Sequence, residues 1–149
     1  MFKEINIREI KESAVGLIAD EWMLVASGNP KKYNMMTASW GALGEMWGAD
    51  VATAVLRPQR YTREFMEANK TFSLSFYGGG AKKTIHSVCG SKSGRDLDKA
   101  EAAGLTPVFS DGTVYFSEAR LVLVCEKIYT YDIEPEKFVN FDFAKWYPE

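Results

Sequence analysis

Short apolar runs separated by turn residues constrain the fold of this chain most strongly. Six segments of strand length are rich in β-branched or aromatic residues, at positions 22–26, 35–40, 51–56, 72–77, 113–116 and 121–125. Glycine-containing turns, including Gly28-Asn29-Pro30, Gly41, Gly48 and Gly78-Gly79-Gly80, lie between these segments. Runs of this length and composition predict strands rather than long helices. We therefore expect a mainly β, largely antiparallel domain.

Two segments interrupt this pattern and predict helices. Residues 62–69 place Phe65 and Met66 near one helical face, and Thr62 is the predicted N-cap. Residues 96–103 are good helix formers, and Gly104 follows them as a left-handed terminator. Residues 81–86 add a predicted turn of helix. A few helices should therefore flank the strands.

The 149 residues fit a single domain over positions 1–149, because no repeat, low-complexity stretch or flexible linker divides them. The net charge of −2 gives no long-range attraction for a polyanion, so we expect neither a nucleic-acid nor a membrane partner. The charged amino terminus lacks the apolar run of a signal peptide. With only two cysteines, which form no CxxC motif, these features predict a cytoplasmic protein.

Several chemistries lack their motifs. The segment 78–84 resembles a phosphate-binding loop but does not have its spacing, and there is neither a GxGxxG after a strand nor a GxSxG elbow. His86 is the only histidine, so we expect no metal site. His86 beside Ile85 and Val88 is more typical of a partly buried structural residue than of a proton donor.

Two segments together indicate a site for a flat, phosphorylated ligand. Residues 34–44 surround Trp40 with small and hydroxyl side chains, which would let a planar ligand lie against the backbone; a plain core strand is the alternative. Residues 57–62 place Arg57, Arg60, Tyr61 and Thr62 between a strand and a helix, where free amides and arginines would hold a phosphate. A solvated basic turn is the alternative there. Residues 89–96 form a second basic, glycine-containing loop, with a weaker signal.

The ordered set of motifs resembles the flavin reductase-like family, and especially its flavoredoxin-like members. The motifs are Asn34-Met35-Met36-Thr37-Ala38-Ser39-Trp40-Gly41, Arg57-Pro58-Gln59-Arg60-Tyr61-Thr62, Phe72-Ser73-Leu74-Ser75-Phe76, Cys89-Gly90-Ser91-Lys92-Ser93-Gly94-Arg95-Asp96-Leu97-Asp98-Lys99 and Gly104-Leu105-Thr106-Pro107. The resemblance extends from about Trp22 to Tyr131. It implies a split β-barrel with Greek-key connections, usually a homodimer, that binds FMN non-covalently near the subunit interface.

The resemblance also implies which residues hold the cofactor. Along the isoalloxazine it places Asn34, Met35, Thr37, Ala38, Ser39 and Trp40. At the phosphate or ribityl end it places Arg57, Arg60, Tyr61 and Thr62, with Lys92 reaching the flavin from the later loop. Lys92 or an amide of residues 37–40 is the candidate donor near flavin N1. No catalytic side chain is assigned.

The leading functional hypothesis is an oxidoreductase that takes hydride from NAD(P)H through FMN to free flavin or another acceptor. An electron-transfer flavoprotein serving a protein partner is the second, and a non-catalytic split barrel that binds haem or another ligand, or none, is the third. Family members usually continue beyond a segment like Trp146-Tyr147-Pro148 into a final strand. Because this sequence stops at Glu149, we expect that strand to be cut off, absent or supplied differently.

Overall fold

The computed structural model describes residues 2–148, so Met1 and Glu149, the ends of the predicted domain, lie outside the described residues. The described residues form eight strands: β1 (Met23–Asn29), β2 (Lys32–Ala38), β3 (Gly41–Met46), β4 (Ala49–Ala54), β5 (Thr71–Phe76), β6 (Pro107–Ser110), β7 (Thr113–Phe116) and β8 (Leu121–Glu126). Four short α-helices accompany them: α1 (Thr62–Ala68), α2 (Ile85–Ser91), α3 (Lys99–Ala103) and α4 (Phe143–Trp146). A π-helical turn, Gly16–Glu21, precedes β1, and a 3₁₀ turn, Gly79–Lys83, precedes α2.

A four-stranded antiparallel sheet of order β2-β1-β5-β8 forms the centre of the molecule. Alternate residues of β1 point to opposite faces of this sheet, so Val25 packs into one apolar cluster and Leu24 into another. The first cluster includes Leu74 and is covered by the π-helical turn and by parts of β3 and β4. The second cluster contains residues of α2, α3 and β7. β1 is therefore buried on both faces, whereas β2 lies at an edge of the sheet.

The β3–β4 hairpin is less well covered than the central sheet. In the part of the chain that the structure describes, its strands pair only with each other, and most residues of β3 are exposed. Trp47 and Gly48 form its turn with positive φ angles of 54° and 75°. The conformation suits glycine but strains a bulky residue, and it leaves Trp47 69% exposed. The hairpin thus extends an aromatic side chain into solvent.

All six predicted strands are confirmed, with shifts of up to three residues at their ends, but β3 and β6 were missed. Gly41 is not a turn: it pairs with Ala54 in the β3–β4 ladder, and a Cβ there would lie 2.2 Å from the Thr53 carbonyl oxygen. The predicted helix at 96–103 begins only at Lys99, because the Asp98 side chain accepts from two amides of the first turn. Within residues 2–148, no helix is both long and apolar enough to cross a membrane.

Candidate functional site

A cleft of about 300 Å³ lies beside the edge strand β2. Its lining comprises Asn34, Met36, Gln59, Arg60, Tyr61, Thr62, Ser91, Lys92, Ser93, Gly94 and Lys99. Three of these side chains are basic and none is acidic. A cavity that collects positive charge without a carboxylate to neutralise it is suited to an anionic ligand.

Two of the three basic residues are fixed by main-chain carbonyls. The Lys99 ammonium donates to the carbonyl oxygens of Met35 at 2.7 Å and Cys89 at 2.8 Å. Arg60 donates from Nη1 to the Gly90 carbonyl oxygen at 2.9 Å. The Cys89 and Gly90 carbonyls belong to the last turn of α2 and have no partner inside the helix, whereas the Met35 carbonyl lies on β2. The same two cations therefore terminate α2 and line the cleft.

Lys99 is the most unusual of the three, because only 4% of it is exposed. Burial lowers the pKa of Lys99, and the charge of Arg60 lowers that pKa further. An ammonium group has three N–H donors, and two of them are used by Met35 and Cys89. The remaining donor is available to a ligand in the cleft. An anion there would also offset the cost of burying the charge.

A second set of contacts shapes the wall of the cleft. The Asn34 amide donates to Thr62 Oγ1 at 3.0 Å, and both side chains are buried. Gly94 lies so close to Asn34 that an added Cβ would come within 2.1 Å of Asn34 Oδ1. Glycine is therefore required at position 94 to keep Asn34 and Thr62 in place.

Within residues 2–148 no strand pairs with the outer edge of β2. In an antiparallel ladder the N–H and C=O of one residue point to the same side, and successive residues alternate. Because the Met35 carbonyl points outward to Lys99, the main-chain groups of Thr37 also point away from β1. The strand can therefore offer both donors and acceptors to the edge of a planar ligand.

Thr37 is held from the other side by α2. Its Oγ1 lies 2.8 Å from Nδ1 of His86, which is only 3% exposed. The rings of Trp22 and Tyr77 pack against the imidazole edge-on, at centroid distances of 5.8 and 6.3 Å. Burial, with a smaller contribution from the charge of Lys82, lowers the pKa of His86 to about 4, although Glu21 opposes the shift. The imidazole is consequently neutral near pH 7.

Trp40 and Arg57 form a neighbouring aromatic and cationic cluster. The Arg57 guanidinium lies 5.1 Å from the centre of the Trp40 ring and donates to the Trp146 carbonyl oxygen at 3.0 Å. Trp146 and Tyr147 pack edge-on against Trp40, both at 5.9 Å. The carboxyl-terminal helix α4 thus covers part of the tryptophan that sequence reasoning left open for a ligand.

The structure brings some of the predicted site residues into the cleft and leaves others outside it. Those that line the cleft are Asn34, Arg60, Tyr61, Thr62 and Lys92. The side chains of Met35 and Ala38 are buried in the core, and Thr37, Ser39, Trp40 and Arg57 lie along or beside the end of β2. A tight turn connects Arg57, beside the end of β2, to Arg60 in the cleft. The Arg60 amide closes this turn by donating to the Arg57 carbonyl oxygen at 3.1 Å.

The predicted N-cap of α1 is wrong, and two amides of its first turn are already bonded within the turn. The amides of Arg63 and Glu64 donate to the carbonyls of Arg60 and Tyr61 at 3.0 and 3.1 Å. Thr62 is the first helical residue rather than the N-cap, and its hydroxyl oxygen accepts from Asn34 instead. The Arg63 and Glu64 amides are therefore unavailable to a phosphate, and the positive side chains of the cleft are the clearest candidates for holding one.

Sequence reasoning also missed Lys99. A lysine in the first turn of a short helix is usually solvated. The one sequence clue to the burial of Lys99 is its position between Asp98 and Ala100, on the helix face that packs on the core. Arg95, in the basic loop of residues 89–96, pairs with Glu64 and lies 4.3 Å over the Tyr61 ring rather than in the cleft. No cluster of three or more potential metal ligands occurs in the part of the chain that the structure describes.

Comparisons with known proteins agree with this architecture. Residues 15–138 match the model of the flavin reductase like domain. Flavoredoxin of Desulfovibrio vulgaris is similar in structure, with a TM-score of 0.68 and 22% identity over 76% of this chain and 62% of that one. An FMN-binding domain of a flavin reductases-like enzyme from Shewanella baltica gives a TM-score of 0.66 and 23% identity over 78% of this chain and 62% of that one.

A proposed flavin reductase with a split barrel domain, from Shewanella frigidimarina, gives a TM-score of 0.65 and 16% identity over 87% of this chain and 66% of that one. The predicted fold, a mainly β split barrel with flanking helices, is thereby confirmed. This chain spans less than two thirds of the length of each of these three proteins. No curated protein sequence matches it.

The buried imidazole predicts a specific dependence of stability on pH. His86 binds its proton with a pKa of about 4 when folded and 6.5 when unfolded, so the unfolded state takes up more protons as the pH falls through this window. The contribution of the neutral His86 to the free energy of unfolding is therefore present above about pH 6.5 and is lost as the pH falls towards 4. From about pH 7 to about pH 4.5 the free energy of unfolding should fall by on the order of 1–3 kcal/mol more in the native protein than in His86→Leu. Urea unfolding at both pH values measures this difference, and equal slopes for the two proteins would contradict it.

Proposed function

Because the chain belongs to the flavin reductase-like domain family, we propose that it binds FMN non-covalently and passes reducing equivalents from NAD(P)H through it to free flavin or another acceptor. The observation that carries the proposal is the cleft in which Arg60, Lys92 and Lys99 converge without a carboxylate. A phosphate monoester has close to two negative charges near neutral pH and three acceptor oxygens. It is therefore a suitable partner for these donors.

The phosphate end of FMN belongs in this cleft. Lys99 would contribute its third N–H and Arg60 the guanidinium nitrogens that do not bind Gly90, while Lys92 is exposed at the rim. Thr62 already accepts from Asn34, and its own hydroxyl proton remains available. This combination supports recognition of a phosphorylated flavin over an uncharged one.

The isoalloxazine belongs along the free edge of β2. From Asn34 at the cleft to Trp40 the strand and its extension cover about 20 Å, which is on the order of the length of a flavin mononucleotide. Outward main-chain groups such as those of Thr37 supply donors and acceptors for the polar edge of the ring. Trp40 and Arg57 supply flat surfaces at the far end.

Bound FMN would supply the redox chemistry, since its ring system accepts hydride and passes electrons on. The task of this chain is then to bind the cofactor, orient it and stabilise the charge that reduction creates. Lys92 or an amide of residues 37–40 remains our candidate donor near flavin N1. We assign no side chain as an acid or base in the hydride step.

Turnover with nicotinamide cofactors tests the proposed reaction. We expect the FMN-loaded protein to oxidise NADH or NADPH with added free flavin at a rate well above that of free flavin alone. The likeness to flavoredoxin favours a second candidate, an electron-transfer flavoprotein that serves a protein partner. Negligible nicotinamide oxidation together with rapid reduction by a redox protein would support that carrier and contradict the reductase.

Phosphate recognition predicts a selective loss of affinity. Arg60→Ala should weaken FMN binding about 10- to 100-fold, because a charged hydrogen bond is lost, and should change riboflavin binding much less. Arg63→Ala is the matched control, since Arg63 lies three residues away but pairs with Glu67 and Asp132. Isothermal titration of both ligands gives the comparison. Equal losses for FMN and riboflavin would show that Arg60 does not contact the phosphate.

We also propose that the protein is a homodimer in which a second copy covers the β3–β4 hairpin. A two-stranded hairpin without a core of its own is marginal in water. This hairpin exposes 50% of Met46 and 69% of Trp47, and Trp47 lies 5.9 Å from Tyr129, which is 65% exposed. The resulting aromatic surface is of the kind that partner chains cover.

Sedimentation of a hairpin variant tests the dimer. Trp47→Ser should shift the protein from dimer towards monomer at micromolar concentration, because it removes the largest exposed apolar side chain of the surface. Val15→Ser, which changes a residue of similar exposure (74%) outside the hairpin, should leave the mass unchanged. A native protein that sediments as a monomer would refute the proposal.

A further inference from the structure

The contact between Thr37 and His86 uses only one of the two imidazole nitrogens. His86 Nδ1 lies 2.8 Å from Thr37 Oγ1, but Nε2 is buried and has no hydrogen-bond partner among residues 2–148. Three other buried side-chain atoms of the described residues share this property, namely Ser75 Oγ, Tyr77 Oη and Thr113 Oγ1. Such atoms are rare in proteins, and each requires a reason. Trp22 and Tyr77 pack edge-on against the imidazole, but neither gives Nε2 a hydrogen bond, and the Tyr77 hydroxyl is itself without a partner among residues 2–148.

Two tautomers of the neutral imidazole are compatible with the 2.8 Å distance. If Nε2 holds the proton, a buried N–H has no acceptor, and Thr37 must donate its only hydroxyl proton to Nδ1. If Nδ1 holds the proton, His86 donates to Thr37 Oγ1 and Nε2 carries only a lone pair. Orphaned buried N–H donors are the rarer defect in proteins, so the second tautomer is favoured.

The tautomer decides what Thr37 can do. When Oγ1 accepts from His86, its own proton is free and its direction is restricted, since the oxygen is held on one side. Thr37 is half-buried on β2, the strand whose free edge faces the proposed flavin, and the absence of a side chain at Gly90 leaves space around it: a Cβ there would lie 3.6 Å from Oγ1. The Thr37 hydroxyl is thus a preoriented hydrogen-bond donor beside the proposed flavin site.

On the premise of the proposed function, we infer that His86 is a positioning residue, which donates Nδ1–H to Thr37 and so directs the Thr37 hydroxyl proton to a carbonyl oxygen or bare ring nitrogen of the flavin. No bond is made or broken in this role. The two side chains act as a unit: Thr37 contacts the flavin, and His86 acts only through Thr37. The unsatisfied Nε2 is the cost of that arrangement.

The tautomer can be measured without any flavin. His86 is the only histidine in the sequence, so an untagged, ¹⁵N-labelled sample gives a single imidazole pattern in a long-range ¹H–¹⁵N spectrum. Near pH 7 we expect a protonated, pyrrole-like Nδ1 and a bare, pyridine-like Nε2. The opposite pattern, or a rapid average of both, would overturn the inference whatever the protein binds.

The coupling between the two residues is measured by FMN affinity. Thr37→Val should raise the Kd for FMN about 3- to 10-fold, which corresponds to the loss of one neutral hydrogen bond, and Thr37→Ser should restore affinity to within about 2-fold. His86→Leu should give a loss similar to that of Thr37→Val. His86→Asn, whose amide occupies the position of Nδ1, should recover most of it.

A double variant separates positioning from a merely structural role. Once Thr37 has lost its hydroxyl, replacing His86 should change the Kd by less than about 2-fold, because His86 acts through that hydroxyl. Losses that multiply in the Thr37→Val, His86→Leu protein would overturn the inference while leaving the proposed function intact. A folded native protein that does not bind FMN would instead refute the proposed function, and the spectrum above would still report the tautomer.

Discussion

The Lys99 ammonium, buried between a strand edge and a helix end, is the interaction on which the site depends. It binds the Met35 carbonyl of β2 and the Cys89 carbonyl of α2, two acceptors that ordinary secondary structure leaves without partners. One side chain thus joins the edge of the central sheet to the helix that packs on it. Burying a charge is costly unless it is compensated. The cleft beside Lys99 is where a negatively charged ligand would supply that compensation.

The other parts of the site follow from this junction. Because α2 is fixed against β2, Gly90 can accept from Arg60, and His86 meets Thr37 one helical turn earlier. The segment after α2 then passes close enough to Asn34 that only glycine fits at position 94. The basic side chains of the cleft, the outer edge of β2 and the Thr37 hydroxyl consequently lie next to one another. A phosphorylated flavin has the matching sequence of groups along its length: phosphate, polyol chain and polar ring edge.

The fold was more predictable from sequence than the site. Alternating β-branched and aromatic segments located six of the eight strands, since burial of such residues leaves a strong local pattern. β3 was missed because Gly41 and Gly44 are typical of turns, although Gly41 is needed where its backbone approaches Thr53. In the site, Arg60 and Thr62 could be recognised from their turn. The role of Lys99 depends on contacts across 64 positions of sequence to Met35, and no local pattern encodes these.

The most direct test of the account is the identity of whatever the purified protein binds. A purified sample, or one titrated with FMN and freed of excess, should show the absorption bands of a protein-bound flavin, and denaturation should release FMN in about one equivalent per chain. A protein that stays colourless, leaves the spectrum and fluorescence of added FMN unchanged, or releases a haem instead would contradict the assignment of the basic cleft and the β2 edge to one nucleotide.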